Sequence, residues 1–423
     1  MPAASQRSLC AVLALGAIAL SACGKGAGEQ ATSSAGEPAR KLAPVAAQGA
    51  VSVATRNTTR LGGGDVTADA AAVARAVYPG LTAATRPQAV VLVDEHDWIA
   101  ALTGAVLASA PTGAPMLFSE GSTLPSLTRQ TLEAMRPLGA PTLGGAQVIS
   151  IGSSVAVSHA YLPYRLAAGT PALTAAAVER LLVKLDRGSS PRQVIVLEQN
   201  TAPAMAMPAA SLAAESGAPI LLVTPTGVPG ATAAVLTALH RPSIYVLDPA
   251  AVASHTRDEL RRYGPVTTIP GSRAASARAP ATSHTGASTA GEAVQNAIEL
   301  ARFTDGTFGW GVKEPGHGLV FANLGRPLDA PAAALLSATG DFGPLLLLAS
   351  ATQVPASLAR YLSDIQPAYA DPQFPPVRGA YNHGWLIGGE QAISAVTQAE
   401  IDASLEIAPR AATSEEASEL PGE

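Results

Sequence analysis

Two aspartates, a glutamate and a histidine stand together in the segment Asp94-Glu95-His96-Asp97, directly after a short apolar run. Carboxylate and imidazole groups at the carboxyl end of a buried strand can bind a metal or transfer protons, because α/β proteins place their sites at that edge. The sequence places no histidine or cysteine partner for them, and the matching segment 104 residues later reads Glu-Gln-Asn-Thr. A solvated loop is the favoured interpretation, and a metal or acid–base site is the alternative.

Motifs of common enzyme classes are missing from the sequence. The glycines of Leu61–Asp65 lack the lysine and hydroxyl residue of a phosphate-binding loop, and neither they nor Gly306–Gly311 have dinucleotide-binding spacing. No Gly-x-Ser-x-Gly elbow, Cys-x-x-Cys pair or His-x-x-x-His pair occurs. Trp98, Trp310 and Trp385 are too few to predict an aromatic platform for sugars. The prediction is a protein that is not an enzyme and uses no cofactor or metal.

A different chemistry is predicted near the amino terminus. The apolar segment Cys10–Leu20 follows Arg7, is too short to span a bilayer comfortably, and runs into Leu20-Ser21-Ala22-Cys23. This order resembles the lipobox of bacterial lipoproteins, which implies that Cys23 is acylated and becomes the first residue of the mature chain. An ordinary cleaved signal that contains a cysteine is the alternative. Two acyl chains would anchor the protein at about 0.8 kcal/mol for each buried CH₂ group.

The composition limits the partners and the interior. The 423 residues carry a formal net charge of −5, which argues against nucleic acid as the main partner. Hydrophobic residues make up 48% of the chain but aromatic residues only 4%, so small side chains must form the contacts between elements. Cys10 and Cys23 are the only cysteines, so packing rather than disulfides must stabilise the exported protein. The length predicts about two to four folded units.

The chain contains a threefold internal repeat. The segments Gly113–Pro125 and Gly217–Pro229 both begin Gly-Ala-Pro, continue through an apolar run and end in an apolar residue and proline. Several other elements share this offset of 104 residues. A more divergent third copy includes Phe342–Pro355, at an offset of 126 from the second. Offsets that hold across several elements indicate true repetition.

Each copy predicts alternating strands and helices. The first strand begins at Val90, Val194 and Leu319 in the three copies, and an alanine-rich helix and a second apolar strand follow it. A helix with proline in its first turn and a third strand complete the copy. These prolines are Pro125, Pro229 and Pro355. Continuous apolar strands between helices predict an α/β fold of three Rossmann- or flavodoxin-like modules, each with a parallel sheet.

The order of motifs resembles the cell-wall-binding repeat type 2 family. The matching segments of the first copy are an Arg-apolar-x-Gly opening at Arg60, a Pro-Ile-Leu-Leu-like strand at Pro115 and a closing turn at Gly152–Ser158. The second copy opens at Tyr164, and the third is best marked by Leu328-Asp329-Ala330. The resemblance covers roughly residues 52 to 405. It implies three modules around a pseudo-threefold axis and non-covalent attachment to an anionic polymer of the cell wall.

The resemblance also implies candidate polymer-binding residues. Arg60 and Arg165 occupy corresponding places in two modules, and a guanidinium group can bind an anionic group. The favoured alternative is that each arginine merely caps a neighbour or pairs with an acidic residue. The other candidates are the Pro-Ile-Leu-Leu positions of the three copies. They are Pro115, Met116, Leu117, Pro219, Ile220, Leu221, Leu222, Pro344, Leu345 and Leu346.

The predicted organisation has a leader, a tether, three modules and a tail. The signal peptide is residues 1–22, the flexible tether 23–50, the modules 51–160, 161–264 and 265–410, and the disordered acidic tail 411–423. A low-complexity loop is predicted at 271–291, inside the third module.

Taken together, these features predict a non-enzymatic protein, lipid-anchored on the outer face of the bacterial cytoplasmic membrane. It would bind an anionic cell-wall polymer or peptidoglycan. The alternative is an exported solute-binding lipoprotein of a transport system, which would have two lobes that enclose a ligand. An envelope enzyme is a third possibility, but the repeat leaves no length for a separate catalytic domain.

Overall fold

The computed structural model describes residues 51–152, 157–167, 169–248, 250–269, 286–339, 342–369 and 380–409. The predicted signal peptide, Cys23, the tether and the acidic tail lie outside this part of the chain. Among the helices that are described, none combines the length and the apolar character needed to cross a bilayer.

The described residues form fifteen strands and eleven α-helices. The strands are β1 Val51–Ala54, β2 Thr58–Gly62, β3 Val90–Asp94, β4 Met116–Ser119, β5 Val148–Ile151, β6 Pro163–Leu166, β7 Gln193–Glu198, β8 Ile220–Val223, β9 Ser243–Leu247, β10 Val266–Ile269, β11 Gly318–Asn323, β12 Phe342–Leu348, β13 Ala368–Tyr369, β14 His383–Ile387 and β15 Ala408–Pro409. The helices are α1 Val66–Val77, α2 Trp98–Gly104, α3 Ser126–Met135, α4 Pro171–Leu185, α5 Pro203–Ser216, α6 Gly230–Ala238, α7 Ser254–Leu260, α8 Gly286–Arg302, α9 Asp329–Ser337, α10 Ala356–Asp364 and α11 Ala395–Leu405.

Three sheets of the same topology confirm the predicted α/β repeat. Their strand orders are β4-β3-β5-β6, β8-β7-β9-β10 and β12-β11-β14-β2, all parallel, and β1 adds an antiparallel edge to the third sheet. Val90, Val194 and Leu319 lie in β3, β7 and β11, each between two parallel partners. Each sheet, with the helices that cover it, forms one module.

The fourth strand of every sheet comes from the start of the next copy. β6 pairs with β5 of the first sheet, β10 with β9 of the second, and β2 with β14 of the third. Because β2 stands near the beginning of the described chain, this exchange closes the three modules into a ring. The register places Thr268 of β10 where Arg165 and Arg60 stand in β6 and β2, so the third copy lacks the arginine of the opening motif.

Equivalent helices meet at the centre of the ring. Helices α2, α5 and α9 contact one another, and α1, α4 and α8 contact α9, α2 and α5 respectively. This cyclic pattern is the pseudo-threefold arrangement. Alanines such as Ala101, Ala210 and Ala333 are buried at these contacts and let the helix backbones approach closely.

Two local predictions needed adjustment. Pro125, Pro229 and Pro355 stand one residue before their helices, as N-caps, rather than in the first turn. Residues 286–291 of the predicted low-complexity loop are helical, because α8 begins at Gly286, and residues 271–285 lie outside the described part of the chain. The buried stripe that continues along α8 through Val294 and Ile298 stabilises this helix, whereas its small, polar first turn has the composition of a loop.

Candidate functional site

The Pro-Ile-Leu-Leu positions are core residues. All ten candidates, from Pro115 to Leu346, are buried in β4, β8 and β12 or immediately before these strands. Helices α1, α4 and α8 contact these strands. In the first two modules α3 and α6 are also tied to β4 and β8, because Thr128 and Thr232 donate hydrogen bonds to the carbonyl oxygens of Phe118 and Leu222. Burial gives these candidates a packing role and keeps their side chains away from any polymer at the surface.

Arg60 is also committed to contacts within the protein. Its side chain is 5% exposed, and it donates from Nε to Gln398 Oε1 at 3.0 Å and from Nη1 to the Gly388 carbonyl at 2.9 Å. Burial lowers the pKa of Arg60, and the charge of Glu390 opposes that shift. The arginine therefore ties β2 to the turn after β14, as the pairing alternative proposed. Arg165, its counterpart in β6, is exposed.

A cavity of about 650 Å³ lies over Arg60, between the β1–β2 hairpin and α11. Its wall includes Glu390 and Asp402, and Asp402 Oδ1 accepts a hydrogen bond from the Asn57 amide at 2.8 Å. The alanines of α11, among them Ala399, form the apolar side. Two carboxylates beside one internally bonded arginine give this cavity the wrong charge for an anionic polymer.

The acidic segment after β3 organises its own loop. Asp94 Oδ1 accepts a hydrogen bond from the His96 amide and contacts His96 Nδ1, both at 3.0 Å, and Asp97 caps α2 by accepting from the Ala100 amide. The hydrogen bond to Asp94 raises the pKa of His96. No group of three or more metal-binding side chains occurs among residues whose structure is described. These contacts support the interpretation as a loop.

The amino ends of the strands lie on one face of the ring, the amino-end face. Ser109 and Ala110 of the first module line a cleft of about 190 Å³ with residues 189–191 and 216–217 of the second. Gln193, which begins β7, donates to the Thr307 carbonyl in the segment that leads to β11. The amino ends of the second and third modules are therefore neighbours as well.

Basic side chains follow the helices that end on this face. In the first module they are Arg75, Arg86 and Arg136, and in the second Lys184, Arg187, Arg192, His240 and Arg241. A cation at a helix carboxyl terminus interacts favourably with the helix dipole, which accounts for part of this distribution. Acidic groups on the same part of the face are fewer, namely Glu133, Asp186 and Glu215. In the third module Arg302 and Lys313 are balanced by acids, including the ion pair of Arg302 with Asp364.

Several of these basic residues also have an unusual backbone conformation. Five described residues other than glycine have a positive φ, and four of them are basic residues of this face: Arg136 at 49°, Arg187 at 55°, His240 at 54° and Arg241 at 68°. Glycine is the usual residue at such positions, and an L-residue there costs roughly 1–2 kcal/mol. A basic residue therefore occupies each of these four positions, although glycine would be less strained there. Sequence reasoning missed these residues, although a basic residue directly after an amphipathic helix was the available signal.

A scan of protein-family models and a search of curated proteins found no match for this chain. Two solved structures from Clostridium difficile are similar in fold. Cwp8 matches with a TM-score of 0.59 and 15% identity over 83% of this chain, and Cwp6 with a TM-score of 0.61 and 18% identity over 84%. The chain spans about half of each, 52% of Cwp8 and 51% of Cwp6. At this identity the likeness establishes a shared three-module α/β fold.

Proposed function

We propose that this is a non-enzymatic, lipid-anchored envelope protein that binds an anionic cell-wall polymer through the amino-end face of its first and second modules. Cwp8 and Cwp6, which share its fold, are cell-wall proteins. The lipobox-like segment that ends at Cys23 supports export and anchoring. Both features favour a location at the outer face of the bacterial cytoplasmic membrane.

The observation that carries this proposal is the set of basic residues in left-handed conformations on the amino-end face, which also has a cleft lined by serine hydroxyl groups. Arg187 lies beside the cleft residues Asp186 and Ser189, and Arg192 directly follows Pro191 in its wall. Ser109 and Ser216 contribute hydroxyl groups from two modules. Guanidinium groups suit the phosphate or carboxylate groups of a polymer, and serine hydroxyls suit its sugar oxygens.

The solute-binding alternative receives less support from the architecture. Such a protein would enclose its ligand between two lobes, whereas the described residues form three modules in a closed ring. Binding of a small, neutral or cationic solute in the cavity over Arg60 is a second candidate function. The cavity has the volume for such a solute, and its wall carries Glu390 and Asp402.

The test is co-sedimentation with purified cell wall, before and after chemical removal of its anionic polymers. We expect binding that depends on those polymers and weakens as salt is raised. Arg187→Gln/Arg241→Gln should reduce it about tenfold or more, because each lost charge-assisted hydrogen bond contributes about 1.5–3 kcal/mol before screening. Glutamine has the same Cβ as arginine, so backbone strain at the positive φ is unchanged.

The matched control removes the same charge from other exposed arginines, as Arg129→Gln/Arg165→Gln. Equal loss in both double variants would refute the proposed face, and loss in the control alone would return the site to Arg165. Anchoring is measured separately. Cys23→Ala should abolish the incorporation of labelled fatty acid into the protein, and unchanged incorporation would refute acylation of Cys23.

A further inference from the structure

Three large apolar side chains are exposed on separate loops at the amino end of the first module. Leu81, Leu138 and Leu162 are 78%, 48% and 52% exposed. They precede β3, β5 and β6, three strands of one sheet. Leucines at a protein surface are common singly, but a group of them marks a contact with another apolar phase.

Hydrogen bonds connect the three loops that carry these leucines. Arg136 donates to the carbonyl of Gly80, the residue before Leu81. Gln147 donates from its side-chain Nε2 to the Pro137 carbonyl, next to Leu138, at 2.9 Å. Its backbone N–H donates to the Leu162 carbonyl at 2.8 Å. One glutamine and one arginine thus connect the three loops, and we name Leu81, Leu138 and Leu162 the leucine patch.

The charges around the leucine patch are mainly positive. Arg75 lies in the last turn of α1, and Arg86 donates from Nε to the Arg136 carbonyl, so three guanidinium groups lie on the elements beside the patch. Glu133 and His159 are the other titratable groups with exposed side chains nearby. The loops before β7, β9 and β10 of the second module expose Ser189, Arg241 and Arg262 and no large apolar side chain, so the leucines distinguish the first module.

We propose that the leucine patch inserts into the headgroup region of an anionic membrane leaflet, with the surrounding arginines bound to lipid phosphates. A hydrated polymer offers no apolar phase for three leucines, whereas the acyl boundary of a leaflet does. Basic residues near such a surface contribute by attraction to anionic lipid, and long arginine side chains reach the phosphates while their stems stay in the apolar layer.

This proposal rests on the proposed function in placing the protein beside a membrane, but it does not require the lipid anchor. A flexible segment of the length of residues 24–50 reaches about 30 Å, so an anchored protein could turn this face toward the leaflet. The first module would then touch lipid, while the cleft between the first and second modules stays at the border of the contact.

The test uses the full-length protein with an environment-sensitive fluorophore on an introduced cysteine. Ala83→Cys places the probe beside Leu81 without removing a leucine, and Ala399→Cys on α11 is the control position. With vesicles of equal phosphatidylglycerol and phosphatidylcholine, the probe at position 83 should shift to the blue and be quenched by brominated lipid. The triple variant Leu81→Ser/Leu138→Ser/Leu162→Ser should reduce that quenching about threefold or more.

Equal quenching at positions 83 and 399 would overturn the proposal, as would a triple variant that behaves like the parent protein. A response to purified anionic wall polymer that equals the response to vesicles and is lost in the triple variant would also overturn it and assign the patch to the polymer. Failure of the anchor is recognised independently. An acylated Cys23 leaves one labelled thiol in the mature chain, so a second labelled thiol would contradict lipidation without affecting the comparison of the two probe positions.

Discussion

Replacing Arg326 by methionine should loosen the contact that closes the ring. Arg326 pairs with Asp329 on α9, with Nε to Oδ2 at 2.8 Å, and with Asp69 on α1. Both aspartates are fully buried, and Asp69 Oδ1 also accepts a hydrogen bond from the Gly63 amide at 2.7 Å. One guanidinium group therefore holds two buried carboxyl groups from the third and first modules.

The magnitude follows from this burial. Removing one partner of a buried ion pair costs about 3–5 kcal/mol, because the other charge is left uncompensated. The Arg326 side chain is 25% exposed, so we expect about 3 kcal/mol, at the lower end of that range. Asp329→Asn in the same chain should recover part of the loss by removing one buried acid. As a single substitution it should change the free energy of unfolding by about 1 kcal/mol or less, because Arg326 and Asp69 remain paired.

The effect should depend on pH in a defined direction. Burial raises the pKa of Asp329 well above its ordinary value and also raises the pKa of Asp69, while Arg326 opposes both shifts. A carboxyl group with a raised pKa in the folded state binds its proton more tightly there than in the unfolded chain. Its contribution to stability is therefore complete below the unfolded pKa of about 3.9 and is lost as pH rises through the folded pKa. Arg326→Met should raise both pKa values further and be more destabilising at pH 7 than at pH 5.

Hydrogen exchange is the appropriate assay, because a three-module chain need not unfold in one step. Peptides that span β2 and α1 should exchange faster in Arg326→Met, with the larger increase at pH 7 after correction for intrinsic exchange. Arg302→Met is the control, since its partner Asp364 is half exposed and such surface pairs contribute about 1 kcal/mol or less. Equal protection in the two variants at pH 7, or a larger defect at pH 5, would refute the reasoning.

Three further outcomes are expected. Gly62→Ala should destabilise the protein, because a Cβ there would clash with Asp69 Oδ1 at a φ of +148°, whereas Gly64→Ala meets no atom within 4 Å and should be nearly neutral in thermal unfolding. Thr232→Val should cost about 1–3 kcal/mol by leaving the Leu222 carbonyl without its hydrogen bond, and a urea midpoint equal to that of the parent would contradict this. The pKa of His96, followed by NMR, should lie above its usual value and fall in Asp94→Asn; no change on substitution would exclude the hydrogen bond as its cause.

The spacing of apolar residues predicted the architecture, because each copy contains the complete pattern within its own sequence. The apolar runs at Val90, Val194 and Leu319 identify buried strands, and equal offsets reveal that they are equivalent. Helices α3, α6 and α10 also share one spacing of buried residues. Leu132, Leu236 and Leu362 are buried with their neighbours one residue before and three residues after. Such patterns need only the spacing of side chains along one element.

Contacts between distant segments could not be predicted in the same way. Nothing near Arg60 in the sequence indicates that its partners are Gly388 and Gln398, and nothing near Asp69 indicates Arg326. These pairs form because β2 leaves its own copy and completes the third sheet. The same exchange explains why position 62 is glycine, because the turn after β14 lies too close to it to leave room for a side chain. The sequence of a strand shows which of its side chains are buried, but it does not show which strand lies beside it.

Comparison of the three copies separates the positions that build the fold from the positions that can serve function. Positions that match in all three copies, such as Met116, Ile220 and Leu345, are buried, because every copy must build the same sheet. Exposed positions where the copies differ, such as Leu81 and Arg187, are under no such requirement. A family resemblance rests on the first kind of position, so it identifies the scaffold while pointing to core residues as binding sites. Binding by this chain should therefore respond to substitutions where its modules differ.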